Sequence, residues 1–134
     1  MASGHSLEPL ARLAAIAIGG AAGSVLRYLV AGFVQGDTTR FPTGTLVVNA
    51  TGCLAIGFLA ERLMNSAADP LLRSAVLVGL LGGYTTFSTF SLETLRLAQG
   101  GQLARAGLNA MASLAACLVA CWAGHRLAIW MAAR

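Results

Sequence analysis

Four long apolar segments joined by short polar connections constrain this chain more than any other feature. They run roughly over residues 10–34, 43–64, 71–98 and 103–131. Each contains or approaches the ~20 residues that cross a hydrocarbon core as a helix. Inside lipid every backbone polar group must find its partner within the protein, and these segments lack the alternation of barrel strands, so they are expected to be helices. The connections Gln35-Gly36-Asp37-Thr38-Thr39-Arg40-Phe41-Pro42, Asn65-Ser66-Ala67-Ala68-Asp69-Pro70 and Gln99-Gly100-Gly101-Gln102 carry the Gly and Pro punctuation of turns. None is long enough for a second domain. Composition agrees: 10% of residues are charged and 57% hydrophobic, whereas a soluble domain carries about 25% charge. The expectation is a single all-α membrane domain, residues 1–134, with four transmembrane helices.

The first segment also has features of a cleaved leader, with Arg12 before an apolar run and Ala21-Ala22-Gly23 as a small-residue site. Arg27 and Tyr28 continue the segment, which favours a retained helix.

Charge narrows the partners. All nine basic residues are arginines, and they are scattered. That excludes the basic stripe of a nucleic-acid binder. Four spans put both termini on one side, with Arg12, Arg62, Arg73, Arg126 and Arg134. Arg40, Arg96 and Arg105 fall on the other, with Arg27 buried toward it. Orientation follows an excess of basic residues on one face. Here the excess is nearly nil, which permits insertion both ways up and an antiparallel homodimer. Gly19/Gly23 and Gly79/Gly83 form GxxxG pairs, suited to close helix packing within one subunit or between two. Cys53, Cys117 and Cys121 lie in apolar stretches and form no disulfide framework. With His125 as the one further ligand nearby, they read as small apolar filler.

Polar groups inside membrane helices point to function by default. Arg27 stands late in the first segment. Asn49 stands early in the second, with Thr51 close by. A Thr/Ser run occupies the third, and Asn109 and Ser113 share one face of the fourth. Any one of these could be interhelical glue. Together they read as a polar path. Its donors are hydroxyls, amides and a guanidinium, and Glu61 and Glu93 are expected near helix ends within reach of water. That balance favours an anion. Phe87 and Phe90 lie one turn apart among Thr86, Ser88, Thr89 and Ser91. Their positive ring edges would suit a small anion in a narrow bore. Gly82-Gly83 is expected to break the third helix at mid-membrane, with Thr85-Thr86 recapturing freed backbone groups. Such breaks serve as ion sites in membrane proteins.

These residues resemble the Fluc family of fluoride channels, also called CrcB. The motif Gly-Gly-x-Thr-Thr-Phe-Ser-Thr-Phe-Ser-x-Glu is matched from Gly82 to Glu93. Gly-x-x-x-Arg-Tyr/Trp is matched from Gly23 to Tyr28, and Gly-Thr-Leu-x-x-Asn-x-x-Gly from Gly44 to Gly52. The resemblance covers essentially the whole chain. It implies an antiparallel, dual-topology homodimer with two pores, in the inner membrane, passing fluoride passively and lowering cytoplasmic fluoride. It implies that Phe87, Phe90, Asn49, Ser88 and Thr89 line the pore and that Arg27 makes the vestibule attractive to anions. It further implies that backbone carbonyls near Gly82 and Thr85 hold a structural sodium ion on the dimer axis. Asn109 and Ser113 fit the family's polar positions by location. Tyr84 fills the motif's variable slot, and Glu93 belongs to the motif without a derived role. Two other readings remain: a proton-coupled exporter, which needs a carboxyl buried mid-helix, and a non-transporting scaffold. No nucleophile–base pair or metal set suggests an enzyme.

Overall fold

A computed structural model describes residues 7–36 and 41–134. Arg40, counted above in the arginine balance, lies outside the described residues. The described chain is helical: α1 (Leu7–Gln35), α2 (Thr43–Met64), a third span in several pieces, and α6 (Leu103–Ala132). The third span, Pro70–Gln99, comprises α3 (Pro70–Arg73), a π-helical stretch (Ser74–Leu80), α4 (Leu81–Tyr84) and α5 (Phe87–Gln99). All four spans are long and apolar enough to cross a membrane. Much of their surface is apolar and outward: Phe33 is 91% exposed and Ile18 73%. Such a surface is stable against lipid tails and not against water.

Local chemistry sets the ends. Asp69 caps α3 by accepting from the Leu71 amide at 2.8 Å, with Pro70 in the first turn. Gln35 ties α1 to the start of α2: its Oε1 accepts from the Gly44 amide and its Nε2 donates to the Phe41 carbonyl. Gly101 turns the chain into α6 with φ +74°, a left-handed conformation that glycine adopts without steric cost.

Packing runs through two glycine-lined seams. α1 lies against the third span, and both GxxxG pairs serve this one seam. A Cβ on Gly19 would strike the Ala75 carbonyl, and one on Gly23 the Leu80 carbonyl. From the other side, a Cβ on Gly79 would meet the Ile16 carbonyl at 2.7 Å, and one on Gly83 the Gly20 carbonyl at 2.5 Å. The pairs therefore pack against each other within one subunit. The second seam joins α2 to α6, where Gly57 faces the Cys121 carbonyl and Gly124 the Leu54 carbonyl. These obstacles are backbone atoms and cannot rotate away. Gly57→Val and Gly124→Val are each expected to cost about 3 kcal/mol or more by overpacking. A lowered midpoint of thermal unfolding in detergent would report it, and an unchanged midpoint would mean that the seam is looser than described.

The break in the third span is not where the glycines are. Gly82 and Gly83 are helical, and the chain leaves the helix at Thr85 (φ −80°, ψ 157°) and Thr86 (φ −152°, ψ 111°). Gly83 is needed for close approach to α1. Gly82 has open space where a Cβ would stand. The break is made instead by a side chain from another helix. The Thr86 amide, which in an unbroken helix would donate to the Gly82 carbonyl, donates to Asn49 Oδ1 at 2.8 Å. Asn49 Nδ2 returns a bond to the Thr86 carbonyl at 3.0 Å. The π-helical stretch before α4 was also not expected from the sequence.

Candidate functional site

Thr86 is the hub of the polar residues. It is buried, and Asn49 holds its backbone from both sides. Its hydroxyl caps α5, accepting from the Thr89 amide at 3.2 Å and donating to Thr89 Oγ1 at 3.0 Å. Ser88 Oγ lies 3.2 Å away. Thr85 closes α4 below it, its hydroxyl and amide both donating to the Leu81 carbonyl at 3.0 Å. The Thr86 amide and carbonyl are thus taken up by the Asn49 amide group, and the Thr89 amide by the Thr86 hydroxyl.

Two cavities meet at Thr86. The smaller, about 280 Å³, is lined by Arg27, Ser24, Thr45, Thr86 and Thr89 among others. Arg27 Nη1 reaches the Thr85 carbonyl at 3.5 Å, a long contact and its one hydrogen bond among the described residues. The larger, about 570 Å³, is lined by Asn49, Thr85, Thr86, Phe87, Phe90 and Ser113 within a mostly apolar wall. The Phe87 and Phe90 rings stand 5.3 Å apart, tilted by 48°. Among the described residues its lining holds no charged side chain.

The sequence-derived site residues divide accordingly. Phe87, Phe90, Asn49 and Ser113 come together on the larger cavity with Gly82 and Thr85. Thr89 faces the smaller cavity with Arg27. Ser88 is exposed beside Thr86 and lines neither. Asn109 also lines neither; it is 1% exposed and donates to Thr94 Oγ1 at 2.8 Å. Thr94 in turn donates to the Phe90 carbonyl at 2.7 Å. Asn109 therefore fixes α5 against α6 behind Phe90.

Glu93 differs from expectation. It is not at a watered helix end. Its Oε1 accepts from Thr45 Oγ1 at 2.9 Å, and its Oε2 is closed to solvent with no partner among the described residues. Two further residues escaped the sequence reading. Thr45 joins Glu93 to the smaller cavity. Tyr84, in the motif's variable slot, is buried with its hydroxyl 2.9 Å from Thr51 Oγ1. Local spacing carries no signal for either pairing, because the partners lie on different helices.

The family described as CrcB-like protein, Camphor Resistance (CrcB), matches residues 14–125. The chain belongs to the CrcB family. The match takes in every lining residue of both cavities, the second and third spans whole, and most of the first and fourth. Among CrcB relatives, a protein of Citrifermentans bemidjiense is 48% identical over 119 residues, covering 87% of this chain and 96% of its own length. One of Geobacter sulfurreducens is 49% identical, covering 82% of this chain and 90% of its own. One of Methylococcus capsulatus is 49% identical over 87% of this chain, and this chain spans about half, 52%, of that relative's length. All three carry the name fluoride-specific ion channel FluC.

Proposed function

We propose that this chain forms a fluoride-selective channel through which fluoride leaves the cell passively across the inner membrane, lowering cytoplasmic fluoride and conferring resistance. One observation carries the reading: two tilted phenylalanine rings share a cavity with Asn49, Thr86 and Ser113, and no charged side chain lines it among the described residues. Amide and hydroxyl hydrogens can replace the water stripped from a small anion, and ring edges present partial positive charge. The names of the relatives support fluoride as that anion. Arg27 attracts anions into the smaller cavity, and Thr86 connects it to the larger one. Membrane potential drives the charge, at about 2.3 kcal/mol per 100 mV.

The working unit in this proposal is an antiparallel homodimer. Phe87 supports it, being 79% exposed in the single chain although it lines the cavity; a second copy would cover it. The even arginine balance supports insertion both ways up. A sodium ion on the dimer axis would be held by the backbone carbonyls of Gly82 and Thr85. The fit is chemical at Gly82, whose carbonyl has given up the Thr86 amide, and hard cations favour such oxygens; the Thr85 carbonyl takes the 3.5 Å contact from Arg27 and would release it to the ion. When bound, the ion supplies positive charge that ties the two breaks together. Exhaustive sodium removal is expected to weaken the dimer and its flux together. Full assembly and flux without sodium would remove the ion from the account.

A proton-coupled exporter needs a carboxyl buried mid-helix, and Glu93 inside α5 meets that requirement; against it, Glu93 lines neither cavity. A scaffold gives the phenylalanine–hydroxyl cavity no purpose. The cellular test is expression in bacteria lacking fluoride export. Growth in millimolar-range fluoride should be restored, and failure of a well-expressed, membrane-inserted protein to restore it would overturn the reading.

A further inference from the structure

Two thiols in the wall of the larger cavity take no part in the function above. Cys53 lies one turn beyond Asn49 on α2, and Cys117 one turn beyond Ser113 on α6. Both line the cavity. Cys53 stands one turn before Gly57 on α2 and Cys117 one turn before Cys121 on α6, so the close approach of Gly57 to the Cys121 carbonyl puts the two thiols at one level of the α2–α6 seam. Gly57 and Gly124 hold that seam backbone to backbone, so the fold fixes the level of the two cysteines on the shared wall. Both are free and partly accessible. Cys121, a further turn along α6, does not line the cavity.

Paired sulfurs in an apolar wall, with no carboxylate on its lining, match soft ions of low coordination number rather than hard ones. We propose that Cys53 and Cys117 form a two-coordinate site for a soft, thiophilic metal ion of the Cu(I), Ag(I) or Hg(II) class, and that an ion bridging them obstructs the path beside Asn49 and Ser113. On binding, each thiol gives up its S–H proton, two sulfur–metal bonds form, two protons pass to solvent and no electron moves. The binding half stands on the thiol geometry alone. The obstruction half rests on the fluoride reading.

The test uses the full-length protein carrying Cys121→Ser, because Cys117 and Cys121 at i, i+4 could otherwise share an ion. Mercuric ion is the probe, scored by thiolate-to-mercury charge-transfer absorption and by intact mass. The two-thiol protein is expected to hold one ion per chain against about 100-fold more monothiol competitor than single-thiol variants do, the advantage of an intramolecular second ligand. The single-thiol variants add Cys53→Ser or Cys117→Ser, with alanine at the same positions if serine impairs folding. Equal loss from two-thiol and single-thiol proteins would overturn the site. In liposomes, mercuric ion should stop fluoride loss through the two-thiol protein, and a dithiol should restore it. Undiminished flux through ion-loaded protein would overturn the obstruction. Binding is scored without flux, so failure of the fluoride reading stays distinguishable from failure of the site.

Discussion

Phe87→Ile and Phe90→Ile are each expected to abolish fluoride flux while the protein stays folded. Isoleucine keeps an apolar side chain of moderate size but has no ring edge to offer an anion. A fluoride ion entering the larger cavity has lost much of its water. If each ring edge offsets about 3 kcal/mol of that loss, removing one slows passage roughly 100-fold, to near the limit of detection. The folding cost should be small. Phe87 is 79% exposed in the single chain, and its neighbour Thr86 holds the helix end through its own hydroxyl. Flux in liposomes and the elution profile in detergent together decide the matter. Undiminished flux in both variants would remove the rings from the path.

Asn49→Leu should damage the fold and the flux together. Leucine is close to asparagine in shape but can satisfy neither the Thr86 amide nor its carbonyl. Thr86 is buried, and each backbone group orphaned there costs about 1–3 kcal/mol. The break then loses the side chain that made it, and α4 would tend to run on into α5. Asn49→Asp separates the two roles. An aspartate still accepts from the Thr86 amide, so stability should fall less than in Asn49→Leu, while its negative charge in the cavity repels an anion. Thermal unfolding in detergent and flux, measured on both variants, test this. Equal stability in wild type and Asn49→Leu would mean that the break is set by something other than Asn49.

The four spans were legible because length and apolarity are one-dimensional properties, and the lipid leaves helices as the solution. The residues of the break were legible as a group, but their division of labour was not. Gly82 and Gly83 read as a helix break, yet Gly83 serves the α1 seam and the bend follows at Thr85 and Thr86. The decision came from Asn49, on another helix, and no local pattern around Gly82 records it. Phe87 and Phe90 could be placed on one face from their spacing. The partition of Thr89 to the Arg27 side, and of Asn109 to a bond with Thr94, depends on how α5 sits against α2 and α6. Glu93 shows the same limit: its number in the chain suggested a helix end, and Thr45 places it in a closed contact.

The most direct measurement of the central claim is anion loss from liposomes carrying the purified protein, with fluoride and chloride read by ion-selective electrodes and valinomycin added to carry potassium. The account predicts rapid fluoride loss that begins only when valinomycin is added, with chloride retained. Fluoride loss that needs no valinomycin would point to proton coupling. No fluoride loss from folded protein, or loss of chloride at the same rate, would contradict a selective fluoride pathway.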